Sequence, residues 1–244
     1  MRDPNHGDLE VLELSPTIEI RPHENSVDAL SVDPISQKFF ASGSHDKTIK
    51  LWDASKLSKP ITTMTGNKEG IWSLEYSLDG KKLLSASPEG LAKVWDAKSG
   101  KAQVELRGHT EKCYYACWAD DGNMIASCGA DRKICIFDIR KPAKPLVVNE
   151  SSSDIVMCCD FTKDQKHIIS GTIGGHLNVL NIETNKMICN MDILELTPER
   201  DSNTVFCVRK VRNSEQNLVL FGAENEQVQM LEVDPSVDFD YHVL

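Results

Sequence analysis

Two groups of residues in this 244-residue chain have the composition of a catalytic triad: His23, Ser42 and Asp46, and again His109, Ser127 and Asp131. A serine activated by a histidine that a carboxylate orients is the machinery of acyl transfer, provided the hydroxyl is accessible and an oxyanion site faces it. Other chemistry is thin. There is no G-x-x-x-x-G-K-[ST] phosphate loop, no H-E-x-x-H and no nucleophile elbow. Gly171-Thr172-Ile173-Gly174-Gly175 precedes a strand-like run rather than a helix and reads as a hairpin turn. Ser151-Ser152-Ser153-Asp154 could accept phosphate, and a polar loop explains it equally well. What the triads do depends on the elements that hold them.

Ser42 and Asp46 belong to Ser42-Gly43-Ser44-His45-Asp46-Lys47-Thr48-Ile49-Lys50-Leu51-Trp52-Asp53, a polar turn followed by the period-2 alternation of a half-buried strand. The phrase recurs from Ser85 to Trp95-Asp96 and from Ser127 to Phe137-Asp138. A repeat of about 40–45 residues with several short strands per unit marks a radial array of four-stranded blades. On these residues the chain resembles the WD-repeat β-propellers, and an all-β fold of four-stranded antiparallel blades is expected.

Length and composition agree with a folded chain that needs no second domain. The net charge is −10, from 27 basic and 37 acidic residues. Without a long basic cluster it is a poor ligand for phosphate backbones, so no direct nucleic-acid binding is expected and partners with basic surfaces are favoured. No apolar run reaches the roughly 18 residues of a membrane span, and the first residues lack the apolar stretch of a signal peptide. A cytoplasmic or nuclear protein without membrane insertion is expected. The eight cysteines lie mostly in apolar strand-like runs and form no C-x-x-C pair, so neither zinc nor any other metal or cofactor is anticipated.

Read as one propeller domain over 1–244, the chain opens with a half blade (1–22), because Leu9-Glu10-Val11-Leu12-Glu13 aligns with the end of the phrase. Full units follow at approximately 23–65, 66–107, 108–149, 150–195 and 204–244, with a polar insert at 196–203. About five and a half blades fall short of the seven with which the family usually closes. A divergent ring, an open partial ring and a piece of a longer protein all fit that count.

The resemblance also gives the triads a structural meaning. In the family, a His before the first strand, a hydroxyl in the second, the Asp of the following turn and the Trp of the third strand form a buried hydrogen-bonded chain. His23, Ser42, Asp46 and Trp52 carry it whole, and His109, Ser127 and Asp131 carry it with Phe137 in the Trp position. The second unit keeps Trp95 but has Asn67 and Glu89 for His and Asp, and the last two units lack the set. Sets that recur per blade between strands, with no oxyanion site implied, are not catalytic, so no enzyme is expected. Removing Asp46 should destabilise the fold, whereas removing Asn181, in a unit without the network, should matter little.

In this architecture the first strands line a central channel and their leading residues surround its mouth. That implies a partner-binding surface of Asp28, Trp72, Tyr114 and Phe206, with Lys112 and Asp154 just before the strands and His45 and Glu224 in the turns. The same alignment places Val156 in the fourth unit. Aromatic anchors beside carboxylates suit a basic or peptide-like segment of a protein partner. Trp72 and Phe206 could instead pack between blades, since period-2 alternation alone does not say which way they face. Phe137-Asp138-Ile139-Arg140 resembles the Trp-Asp-x-Arg motif of substrate receptors in cullin-RING ubiquitin ligases, with only Asp138 and Arg140 matching strictly. A non-catalytic interaction scaffold within a larger complex is the expectation, and a ubiquitin-ligase adaptor is the alternative.

Overall fold

The computed structural model describes residues 19–193, 204–212, 218–223, 228–233 and 241–243. The expected half blade therefore lies almost entirely outside the described residues, as do the polar insert and Glu224.

The described residues form five four-stranded antiparallel sheets and no α-helix. The first sheet is β1 (Val27–Val32), β2 (Phe39–Ser44), β3 (Ile49–Asp53) and β4 (Thr62–Met64). The second is β5 (Ser73–Tyr76), β6 (Lys82–Ser87), β7 (Leu91–Asp96) and β8 (Ala102–Arg107). The third holds β9 (Cys113–Trp118), β10 (Met124–Gly129), β11 (Ile134–Asp138) and β12 (Val147–Asn149). Then come β13 (Val156–Phe161), β14 (His167–Thr172), β15 (His176–Asn181) and β16 (Lys186–Asp192), and finally β17 (Val205–Lys210), β18 (Leu218–Ala223), β19 (Val228–Val233) and β20 (Tyr241–Val243). Strands pair in chain order in every sheet.

The sheets stack face to face, and this shapes their sequences. Middle strands such as β6, β10 and β14 are buried on both faces and read as runs of small and aliphatic residues, whereas the outer β8 and β16 alternate between exposed and buried. Apolar clusters join each sheet to the next, for example Leu84, Ala86 and Val94 with Ala116, Trp118 and Phe137. A Cβ at Gly43 would lie 2.6 Å from Ile71 Cγ2, and one at the corresponding Gly171 would collide with Val205. Glycine there lets the next sheet approach closely.

The first strands β1, β5, β9, β13 and β17 are neighbours in that order. Their unpaired edges are tied by side chains: Tyr76 N–H donates to Ser31 Oγ (2.9 Å), Ala116 N–H to Ser73 Oγ (3.2 Å) and Lys210 N–H to Asp160 Oδ2 (3.0 Å). The five sheets do not close. No apolar cluster among the described residues joins the fifth sheet to the first, and Leu30 and Val32 on β1 are 68% and 58% exposed.

Inside the first sheet the indole N–H of Trp52 donates to Ser42 Oγ (2.9 Å), which lies 2.7 Å from His23 Nε2, while His23 Nδ1 is 2.8 Å from Asp46. Trp52 donates to Ser42, and the two ring nitrogens of His23 bridge Ser42 and Asp46, so every polar group of the set has a partner. Burial works to raise the Asp46 pKa, yet bonds from the Thr48 hydroxyl, His23 and the N–H groups of Glu24 and Thr48 outweigh it and hold the carboxyl well below the usual range. The third sheet repeats the arrangement through His109, Ser127 and Asp131, at 2.8 and 2.9 Å.

The residue after the acidic position adopts a left-handed backbone in four sheets, with φ of 74° at Lys47, 76° at Gly90, 62° at Arg132 and 83° at Gly175. Where the His–Ser–Asp bonds are present the turn carries an ordinary side chain. Where they are not, the turn carries glycine. A non-glycine residue there costs about 1 kcal/mol or more, which a buried, fully bonded carboxylate can offset.

At the other end of the first strands, Glu75 and Asp160 (3% exposed) are surrounded by Arg209, Lys210 and Arg212. Arg212 Nη2 is 3.2 Å from Glu75, Lys210 Nζ is 2.8 Å from Asp120, and Trp118 N–H donates to Glu75 Oε2 at 3.2 Å. Burial raises the Glu75 pKa. Burial first, then repulsion from Glu75, pushes Asp160 up to about 7 against the opposing pull of Lys210 and Arg212.

The expected indifference to loss of Asn181 needs correction. Its Oδ1 accepts bonds from Thr184 N–H (2.9 Å) and Oγ1 (3.0 Å), tying the turn after β15. Asp46→Ala is expected to cost about 2–4 kcal/mol and Asn181→Ala about 1 kcal/mol, so melting temperature should fall by on the order of 5–10 °C in the first and a few degrees in the second. Lys47→Gly should recover part of the Asp46→Ala loss. Asp160 has the opposite sign: its folded pKa lies above the unfolded value, so stability is lost as pH rises from about 4 to 7. Urea titrations at pH 5 and pH 8 should find Asp160→Asn gaining on the native chain by on the order of 2 kcal/mol at the higher pH.

Candidate functional site

The starts of the first strands share one recurring irregularity. The pairing of β1 with β2 runs Val27 to Ser44 and then Ala29 to Gly43, so Asp28 is an extra, bulged residue. The same skip falls at Tyr114, Met157 and Phe206. Trp72 takes the corresponding place just before β5, with its N–H on Ala86 O at 3.0 Å. A bulge re-aims its side chain out of the alternation that buries its neighbours on the strand.

Counting from the strand-pair partner of the second-strand serine settles the fourth sheet. Ser42 pairs with Leu30 and Ser170 with Cys159, so the counterpart of Asp28 is Met157. The alignment that placed Val156 there is one residue short; Val156 is fully buried. The serine in the second strand is the signal that would have found Met157.

Trp72 and Tyr114 come together across the second and third sheets. Their rings stack at 5.0 Å between centroids and 8° between planes, and Lys112 Nζ sits 5.7 Å from the Trp72 ring. Lys112 and Tyr114 also line a cavity of about 510 Å³, whose rim includes Glu89, Glu111, Pro88 and Ala130. His45 Nδ1 lies 3.6 Å from Asp28 Oδ2. Asp154 accepts the N–H of Ile155 at 2.7 Å. Phe206 is 56% exposed, so it does not pack between sheets. Trp72 packs on Tyr114 of the next sheet and is only partly buried.

The second sheet replaces the missing His and Asp in a way the spacing did not reveal. Lys93 is buried, with its ammonium 3.2 Å from Glu89, 3.7 Å from Glu105 and 3.0 Å from Gly66 O. A lysine–glutamate pair thus stands where the first and third sheets use imidazole and aspartate. In the fourth sheet, Ser170 Oγ and Asn178 Oδ1 are buried without a hydrogen-bond partner.

The triad composition has no accessible nucleophile behind it: Ser42 is 4% exposed and Ser127 is 0%. Burial raises the thiol pKa of Cys113, Cys117, Cys135 and Cys158, which makes them poor nucleophiles. No group of three His, Cys, Asp or Glu among the described residues is placed to hold a metal ion. Nor is any described helix long and apolar enough to cross a membrane. Arg140 is occupied locally, its Nε and Nη2 donating to the two oxygens of Asp138 at 2.8 and 2.7 Å. Those bonds hold the Asp138 carboxyl down to about 2.

Comparison with known proteins gives three matches to one family, described as WD domain, G-beta repeat, over residues 14–53, 58–96 and 100–138. Coronin-7 of Rattus norvegicus is 30% identical over 121 residues, which is 47% of this chain and 13% of that protein. Protein transport protein Sec31B of Mus musculus is 28% identical over 160 residues, 62% of this chain and 14% of its own length. Coronin-7 of Bos taurus is 30% identical over 128 residues, 50% and 14% respectively. The chain therefore spans at most about a seventh of the length of these relatives.

Proposed function

Because the chain belongs to the WD-repeat family, we propose that it is a non-catalytic interaction scaffold which docks a basic segment of a protein partner at the mouth formed by Asp28, His45, Trp72, Lys112, Tyr114, Asp154 and Phe206. The five sheets are taken as parts of one propeller domain, working in the cytoplasm or nucleus as a subunit of a larger complex. The observation that carries the reading is the Trp72–Tyr114 stack, with Tyr114 on a backbone bulge and Trp72 just before β5, beside a cavity edged with Glu89 and Glu111. Aromatic faces beside carboxylates hold a guanidinium or ammonium by cation–π attraction and charge.

The geometry adds a refinement. Lys112 already stands over the Trp72 ring, so a partner cation must displace it or use the remaining aromatic surface. Binding of a labelled arginine-rich peptide should be lost in a Trp72→Ala/Tyr114→Ala double variant, by about 10-fold or more. The same peptide should bind Lys112→Ala about threefold more tightly, because its competitor is gone. Affinity capture from cells with the native and double-variant chains should show partners retained only by the native chain. Identical capture lists and identical peptide affinities would move the docking surface away from this mouth.

A further inference from the structure

The opposite end of the first strands carries a second cavity, of about 380 Å³, that the mouth does not use. Strand polarity puts it there: Asp28, Tyr114 and Phe206 begin their strands, whereas Val32, Asp160 and Lys210 lie at or near the ends of theirs. Four to five residues of strand separate the two, on the order of 15 Å.

The walls differ in chemistry. One is apolar and open to solvent, with Leu30 and Val32 beside Pro34. The other is the segment Arg209-Lys210-Val211-Arg212, which gathers three cations in an otherwise acidic chain. Lys210 is engaged with Asp120 and Arg212 with Glu75. Arg209 is different. Among the described residues it forms no ion pair, its guanidinium rests 4.7 Å over the Tyr115 ring, and its Nη1 is buried with no hydrogen-bond partner. A buried guanidinium N–H without an acceptor is costly, and a ligand carboxylate would satisfy it. Glu75 attracts the Arg209 guanidinium without reaching ion-pair distance, and burial raises the pKa of both Glu75 and Asp160, so neither carboxylate supplies the missing hydrogen bond.

We infer that this cavity binds a short acidic segment of a partner protein, a carboxylate on Arg209 and an adjoining apolar side chain against Leu30 and Val32. A free inorganic anion would satisfy Arg209 but has no use for the exposed apolar wall, so the peptide is the occupant that matches both halves. This site is independent of the mouth and takes a partner of opposite charge.

The test is fluorescence anisotropy with a labelled peptide in which two Leu-Glu pairs are flanked by serines. The native chain should bind it, and Arg209→Gln should weaken binding by about 10-fold or more. Leu30→Ser, at a residue whose exposure makes it dispensable for folding, should weaken it about threefold. Trp72→Ala should leave it unchanged, which separates this site from the mouth. Replacing glutamate by glutamine in the peptide should abolish binding, and inorganic phosphate should fail to displace it. Undiminished binding of the glutamine peptide, unchanged affinity in Leu30→Ser, or full displacement by phosphate would each overturn the assignment. Should Arg209→Gln not fold, the Leu30→Ser and glutamine-peptide results decide.

Discussion

A carboxylate buried at the turn between the second and third strands of a sheet is the constraint from which the rest follows. Asp46 and Asp131 are costly to bury unless every lone pair is met, and His23 and His109 meet them while spanning back to Ser42 and Ser127. The chain that results pins the segment before the first strand to the second strand and to the turn. It also holds Lys47 and Arg132 in a backbone region that side chains avoid. In the second and fourth sheets, where Glu89 and Gly174 stand at the acidic position, Gly90 and Gly175 take over the same turn. Conformational freedom there substitutes for hydrogen bonding.

These turns decide what the mouth presents. With the turn and the preceding loop fixed, the first strand enters its sheet through a bulge, and the bulged residue is excused from the alternation that buries its neighbours. Asp28, Tyr114, Met157 and Phe206 owe their availability to that local defect. A stacked Trp72–Tyr114 pair is therefore a product of sheet geometry as much as of aromatic attraction. The other end of the same strands has regular pairing, and its chemistry comes from charge. Glu75, Asp160 and the 209–212 segment meet there because four of the first strands converge.

Much of this was legible from residue order. The repeat, the antiparallel four-strand unit and the membership of His23, Ser42, Asp46 and Trp52 in one cluster follow from spacing and from the family resemblance. Other features were not, for identifiable reasons. Met157 was hidden because a bulge adds one residue without changing composition, so an alignment anchored on apolar positions slipped to Val156. Lys93 was hidden because a lysine in a strand ordinarily faces solvent, and its burial is made tolerable by Glu89, Glu105 and the Gly66 carbonyl, which only the fold brings together. Asn181 looked idle because its partners lie in a turn whose shape the sequence does not state.

What residue order determined on its own is whatever depends on local period: strand length, turn position and the recurrence that makes successive sheets alike. Hydrogen-bond spacing along a strand is rigid, so such features repeat in the text of the chain. What only the folded structure decided is whatever depends on residues far apart in sequence meeting at the axis. Arg212 reaches Glu75, and the orphan Nη1 of Arg209 appears beside the uncovered face of Leu30, because the sheets turn about a common centre and stop short of closing. Convergence of that kind is set by the packing angle between sheets, which no single unit of the sequence encodes.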